Sequence, residues 1–117
     1  MRARHVVRQL ALDAGLRLID QTKLVTAVSE LARNTVVHGG GGHMTAGIVD
    51  EGGRLGVWAE FRDEGPGIAD VTEALREGFS TGDGLGLGLG GAKRLVHEFT
   101  LGTAPGRGTT VRVLSWR

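Results

Sequence analysis

Glycine supplies 21 of the 117 residues, more than twice the roughly 7% of ordinary usage. With only two prolines, no Gly-X-Y period and 40% hydrophobic residues, the chain is neither collagen-like nor disordered, and its length suits one domain. A net charge of +1, no cysteine and short apolar runs argue against nucleic acid, disulfides, thiolate metal sites, a signal peptide and a membrane span; the expectation is a cytoplasmic domain.

Val6, Val7, Leu10, Ala11 and Ala14 fall at helical spacing with Gly15 behind them, which predicts a helix over Met1–Ala14. A second helix, capped by Asp20 or Thr22, presents Leu24, Val28, Leu31 and Thr35 as a buried stripe. It ends near His38, because Gly39–Gly42 disfavour helix. Strands follow over Met44–Asp50 and Leu55–Arg62, joined by a tight turn at Glu51-Gly52-Gly53-Arg54. Leu55, Val57, Ala59 and Phe61 alternate with Gly56, Trp58, Glu60 and Arg62, the pattern of a sheet covered on one face. Asp63–Gly67 is a turn, Asp70 caps a short helix to about Glu77, and Gly78–Gly91 is dense in glycine. A third long helix runs through Ala92–Glu98, and a last hairpin pairs Phe99–Thr103 with Thr109–Trp116. The order is that of an α+β, two-layer α/β sandwich, with helices on one face of a mixed, mostly antiparallel sheet. Trp58 and Trp116 are left on the open face as candidates for a partner surface.

The glycines gather after the second helix, around Gly65 and Gly67, and from Gly82 to Gly91. Turns account for one or two glycines per loop. Gly82, Gly84, Gly86, Gly88, Gly90 and Gly91 exceed that, at a cost in chain entropy. Backbone without side chains beside a helix start lets amide N–H groups approach phosphate; the alternative is a lid without a ligand. Gly86–Gly91 spells G-x-G-x-x-G, yet no βαβ unit surrounds it, and Ala92 and Arg94 break the Walker A pattern around Lys93.

Glu30 and Asn34 are four apart and share one helix face. They are either a solvated pair, with Glu30 bridging to Arg33 or Lys23, or oxygen groups for magnesium with Glu30 as general base. Asp63 at a strand end can accept from an adenine amino group. His38 and His43 straddle four glycines with no cysteine to assist, which argues against zinc. His38 then caps the second helix or touches a nucleotide.

Taken in order, Glu30-Leu-Ala-Arg-Asn34 resembles the N box and Asp63-Glu-Gly65-Pro-Gly67 the G1 box of the GHKL ATP-binding superfamily. Gly84-Leu-Gly86-Leu-Gly88 resembles its glycine lid box, and Gly108-Thr109-Thr110 its final threonine box. Val28–Asn34, Glu77–Thr81 and Lys93–Phe99 look like the RsbT-type anti-sigma regulatory serine/threonine kinases, and the resemblance covers nearly the whole chain. It implies the Bergerat ATP-binding fold, with ATP and Mg2+ as cofactors. Asn34 would ligate magnesium, and Glu30 would orient or deprotonate the attacking hydroxyl. Asp63, with Thr110 nearby, would bind adenine; Gly65 and Gly67 would let the base approach the backbone. Gly84, Gly86 and Gly88 would wrap the phosphates, the following helix dipole favouring their charge. Arg33 faces nucleotide or solvent, and Lys93 reaches a phosphate or snorkels on the surface.

Relatives usually begin with a β-strand before the first helix, whereas this sequence starts inside that helix. Either the start lies upstream or the sheet lacks its N-terminal strand, and a bare edge would favour pairing into a homodimer. The resemblance further implies phosphorylation of a STAS-domain anti-sigma factor antagonist in a partner-switching complex. A larger STAS-containing scaffold and a phosphatase would be further partners. The competing reading is a nucleotide-binding regulator that binds a sigma factor or activates a phosphatase with little turnover; an intact Glu30 favours the enzyme. A histidine-kinase domain fits less well, because 117 residues leave no room for a dimerising hairpin. With ATP bound, Gly82–Gly91 is expected to become ordered from a mobile state.

Overall fold

The computed structural model describes residues 2–37, 39–68, 71–75 and 88–117. Helix α1 spans Arg2–Ala14 and α2 spans Leu18–Val37. Gly15 follows α1 with φ 76°, and Leu16 N–H donates to Ala11 O at 3.0 Å, so a left-handed glycine closes this helix as its sequence predicts. Val7, Ala11 and Ala14 are buried, whereas Val6 is 39% exposed and lies off the stripe.

The start of α2 differs from the expected one. It begins at Leu18, and Asp20 sits inside its first turn instead of capping it. The Asp20 carboxylate is buried and accepts from Arg17 Nε at 3.1 Å. His97 Nε2 lies 4.0 Å away, while His97 Nδ1 accepts the Trp116 N–H at 2.7 Å. An acidic group in the first turn also suits the helix dipole. Thr22 donates to Leu18 O, which removes it as a cap too.

Strands β1 (Gly42–Glu51) and β2 (Arg54–Asp63) form an antiparallel hairpin pairing Glu51 with Arg54. Only Gly52 and Gly53 remain for the turn, at φ 62° and 91°, and Asp50 Oδ1 accepts the Gly53 N–H at 2.8 Å. A two-residue loop with both φ values positive fits the right-handed twist of the strands. After α3 (Val71–Ala74) and α4 (Gly88–Arg94) come β3 (Glu98–Thr103) and β4 (Thr109–Trp116). The sheet order is β1-β2-β4-β3. Every pairing among the described residues is antiparallel, so the mixed character expected of the sheet is not seen there.

Helix α4 starts earlier and stops sooner than expected. Gly88, Gly90 and Gly91 belong to it, and it ends at Arg94, so Glu98 opens β3. Four glycine-rich positions make a poor helix by propensity. Packing overrides that, because Leu89, Gly90 and Ala92 are buried and Leu89 and Ala92 join the core. Asp70, Glu77 and the glycines at 78, 82, 84 and 86 lie outside the described residues.

One face of the sheet carries Val57, Ala59, Phe61, Val111 and Val113, packed with Val7, Ala11, Leu24, Val28 and Leu31 of the helices. Aromatics play little part in this core, as the composition foretells. Leu31 is 1% exposed, and Leu31→Ala is expected to cost about 2–5 kcal/mol. Urea denaturation checks this: the midpoint should fall with an unchanged slope.

The open face is self-covered to a degree that alternation does not reveal. Arg112 stacks 4.5 Å over Trp58, and Arg54 stacks 4.9 Å over Trp116. Trp116 Nε1 donates to Glu98 at 2.9 Å, and the residue is only 8% exposed. Trp116 is thus a packed residue of this chain, and Trp58 is half-buried. No helix of the described residues is long and apolar enough to cross a membrane.

Candidate functional site

Three elements converge at one end of the sandwich: the last turns of α2, the end of β2, and the β3–β4 hairpin loop. The 3.6-residue period that buries Leu24, Val28, Leu31 and Thr35 leaves Glu30, Arg33 and Asn34 half-buried beside them. Arg33 Nη1 stands 4.0 Å from Glu30 Oε1, so the arginine shares the face of the carboxylate. Four residues of helix put Glu30 and Asn34 about 6 Å apart along the axis. Asn34 makes no side-chain hydrogen bond among the described residues, and its carboxamide oxygen is available to a ligand. An amide oxygen and a carboxylate on one face are the hard donors that suit magnesium.

Asp63 ends β2, on the same face as Phe61 and Ala59. Its Oδ1 accepts the Gly65 N–H at 2.9 Å. A Cβ built on Gly65 would lie 2.7 Å from Gly39 Cα and 3.1 Å from Asp63 Oδ1. Gly67 has φ 77° and its missing Cβ would strike Ala104 O; that of Gly108 would strike Asp63 O. Gly106 N–H donates to Pro66 O at 2.6 Å, tying the turn after β2 to the β3–β4 loop. Gly65 and Gly67 therefore have a reason inside the chain to be glycine, since backbone from other segments occupies the places their side chains would take.

The threonine that shares the Asp63 face is Thr109, not Thr110. In the β2–β4 register Thr109 stands opposite Asp63 and Thr110 opposite Arg62. Strand alternation then sends Thr110 to the open face with Arg112, while Thr109 follows buried Val111 and Val113. Thr103 Oγ1 accepts the Ile68 N–H at 2.9 Å, reaches Gly108 O at 3.1 Å and lies 3.0 Å from Thr109 Oγ1. With its one hydrogen directed at Gly108 O, Thr103 takes the Thr109 hydroxyl as donor. Thr109 then offers only lone pairs beyond this pair. Period-2 reading of Thr109–Trp116 places Thr109 on that face; Thr103 and Gly39 carry no local signal.

Of the other expected site residues, Gly88 is the first residue of α4 with φ 71°. Gly84, Gly86 and His38 lie outside the described residues. Lys93 is exposed in the last turn of α4.

Residues 19–116 match the family model described as histidine kinase-, DNA gyrase B-, and HSP90-like ATPase. The chain belongs to this ATPase family. Its α+β architecture is the fold of that family, and the nucleotide expected from the glycine boxes is the one this ATPase family uses. The serine/threonine-protein kinase RsbT of Bacillus subtilis (strain 168) is 40% identical over 114 residues, 97% of this chain and 86% of that protein. The anti-sigma F factor of Thermoanaerobacter sp. (strain X514) is 29% identical over 97% of this chain and 82% of its own length. The anti-sigma F factor of Bacillus subtilis (strain 168) is 30% identical over 95% of this chain and 80% of its own length. The resemblance to RsbT-type kinases thus holds across the chain, and this ATPase is a protein serine/threonine kinase.

A prediction follows from the strand register. Thr109→Val is expected to weaken ATP binding about tenfold, the worth of one net hydrogen bond of roughly 1.4 kcal/mol. Thr110→Val is expected to leave it within about twofold. Titration calorimetry with ATP on both variants checks the difference.

Proposed function

We propose that this ATPase-family kinase transfers the γ-phosphoryl group of ATP to a serine or threonine of a STAS-domain antagonist, and so acts as a switch in a complex that controls a sigma factor. What carries the reading is the juxtaposition of α2, whose face bears Glu30 and Asn34 and whose exit at Gly39 packs against Asp63, with the end of β2. Asn34, whose carboxamide makes no hydrogen bond among the described residues, would hold magnesium on the phosphates; Glu30 would lie beside it. When bound, magnesium supplies neutralisation of phosphate charge, the main demand of phosphoryl transfer. Asp63 and Thr109 accept from the base at the other end of the site, with Gly84, Gly86 and Gly88 assigned to the phosphates. Glu30 accepts the proton of the substrate hydroxyl as its oxygen bonds to phosphorus and the bond to the β-phosphate oxygen breaks; ADP leaves. Arg33, 4.0 Å from Glu30, orients that carboxylate. A phosphatase, a larger STAS-containing scaffold and a homodimer belong to the same proposal, as does a cytoplasmic location.

The experiment is transfer from γ-labelled ATP and magnesium to a STAS-domain protein encoded beside this chain. Labelled phosphoserine or phosphothreonine on the STAS protein is expected. Tight ATP binding with no label on any such neighbour would instead favour a non-catalytic regulator that binds a sigma factor, the reading that the anti-sigma F names of its relatives support. Nucleotide binding alone does not separate the two; transfer does.

A further inference from the structure

Four consecutive glycines leave α2, and they are not equivalent. Gly40 and Gly41 have φ 74° and 106° with open space where a side chain would be; they turn the chain. Gly39 has no such φ, so its backbone would accept an alanine. What forbids the alanine is Asp63. A Cβ on Gly39 would lie 2.6 Å from Asp63 Oδ2 and 2.7 Å from Asp63 Cβ, and closer still to Cγ. Because the collision includes Asp63 Cβ, turning the carboxylate about χ1 does not relieve it.

Gly39 is itself held in place. Its N–H donates to Asn34 O at 3.3 Å, and Gly41 N–H donates to Thr35 O at 2.9 Å. At the carboxylate's other oxygen, Gly65 donates to Oδ1, and a Cβ on Gly65 would lie 2.7 Å from Gly39 Cα. The Asp63 carboxylate is therefore clasped between two glycine backbones. One of them is continuous with the helix that carries Asn34.

We propose that Gly39 is a positioning residue that fixes the Asp63 carboxylate in the pose that reads the base, and so sets the preference for a 6-amino over a 6-oxo purine nucleotide. The inference rests on Asp63 being the acceptor for the base. A group that must present one oxygen to a ligand N–H discriminates only while it is held in register, since a donor left unpaired is what penalises the wrong ligand. Through Gly39 the phosphate end of the site, on α2, and the base end, on β2, share a van der Waals contact.

Equilibrium binding of ATP and inosine triphosphate, each with magnesium, to the full chain tests this. The native chain is expected to prefer ATP by about a hundredfold. Gly39→Ala should lower that preference at least tenfold, mostly by weakening ATP, with a smaller change for inosine triphosphate. Gly40→Asn, which keeps a residue that tolerates positive φ, should keep the preference. A Gly39→Ala protein that discriminates as the native chain does overturns the inference, while loss of discrimination in Asp63→Asn leaves the base-reading role standing. Native discrimination in Asp63→Asn at a native thermal midpoint overturns that role, and the inference with it. Should Gly39→Ala not fold, the double variant Gly39→Ala/Asp63→Gly must regain a cooperative thermal transition. If it stays unfolded, Asp63 is not what Gly39 avoids and the inference fails.

Discussion

Asn34→Ala is expected to reduce phosphoryl transfer by about 10³-fold or more, close to 4 kcal/mol of transition-state stabilisation, without loss of the fold. The side chain makes no hydrogen bond among the described residues, so none of them loses a partner when it is removed. Alanine also has the better helix propensity, by a few tenths of a kcal/mol. The backbone carbonyl that accepts from Gly39 survives the change. A thermal midpoint equal to or slightly above the native one, together with a collapsed transfer rate, is the expected pair of results. Catalysis here is positioning and charge neutralisation, so losing the residue proposed to hold the metal leaves little to compensate. Full labelling of the acceptor by Asn34→Ala would remove Asn34 from the mechanism.

The parts of the fold legible in the sequence are those where one residue's fate depends on near neighbours. Leu24, Val28, Leu31 and Thr35 are buried because their spacing places them on one stripe whatever packs against it. Leu55–Arg62 announces its strand by alternation, and Gly52-Gly53 its turn. Local reading failed where a distant residue decides. Asp20 has the chemistry of a cap, yet it sits in the first turn of α2, its carboxylate 4.0 Å from His97 of a distant segment. Gly88–Gly91 looks unhelical until Leu89 and Ala92 find the core. Alternation assigns Trp116 to the open face, but only the arrival of Arg54 and Glu98 shows that it is covered.

The same division runs through the site. Glu30 and Asn34 were legible because one helix carries both, and Asp63 because it stands where a strand meets a glycine turn. The motif points to Thr110, whereas alternation with Val111 and Val113 puts Thr109 on the Asp63 face. Gly39 could not be found locally. Its neighbours make it one of four helix-breaking glycines, and the reason for its identity, Asp63, is contributed by another element.

Asp63→Asn is the other change from which a large effect is expected, a loss of about 10²-fold in ATP affinity, close to 2.7 kcal/mol. The two carboxylate oxygens have different duties. Oδ1 accepts from Gly65 N–H at 2.9 Å, which leaves Oδ2 for the amino group of a base. Asparagine has a single acceptor oxygen and two donors on its nitrogen. If that oxygen stays with Gly65, the NH2 group meets the amino group of the base and two donors face each other. If the amide is flipped, the base is satisfied and Gly65 N–H faces a donor inside the clasp formed with Gly39. Either arrangement leaves one mismatched pair in a half-buried site, and the cost of an unmade hydrogen bond exceeds the net worth of a made one. Calorimetric titration with ATP checks the affinity, and thermal unfolding without nucleotide separates the two arrangements. A native midpoint with weak binding means the oxygen stayed with Gly65; a lowered midpoint with nearly native binding means it turned to the base. Native affinity at a native midpoint would show that Asp63 does not read the base.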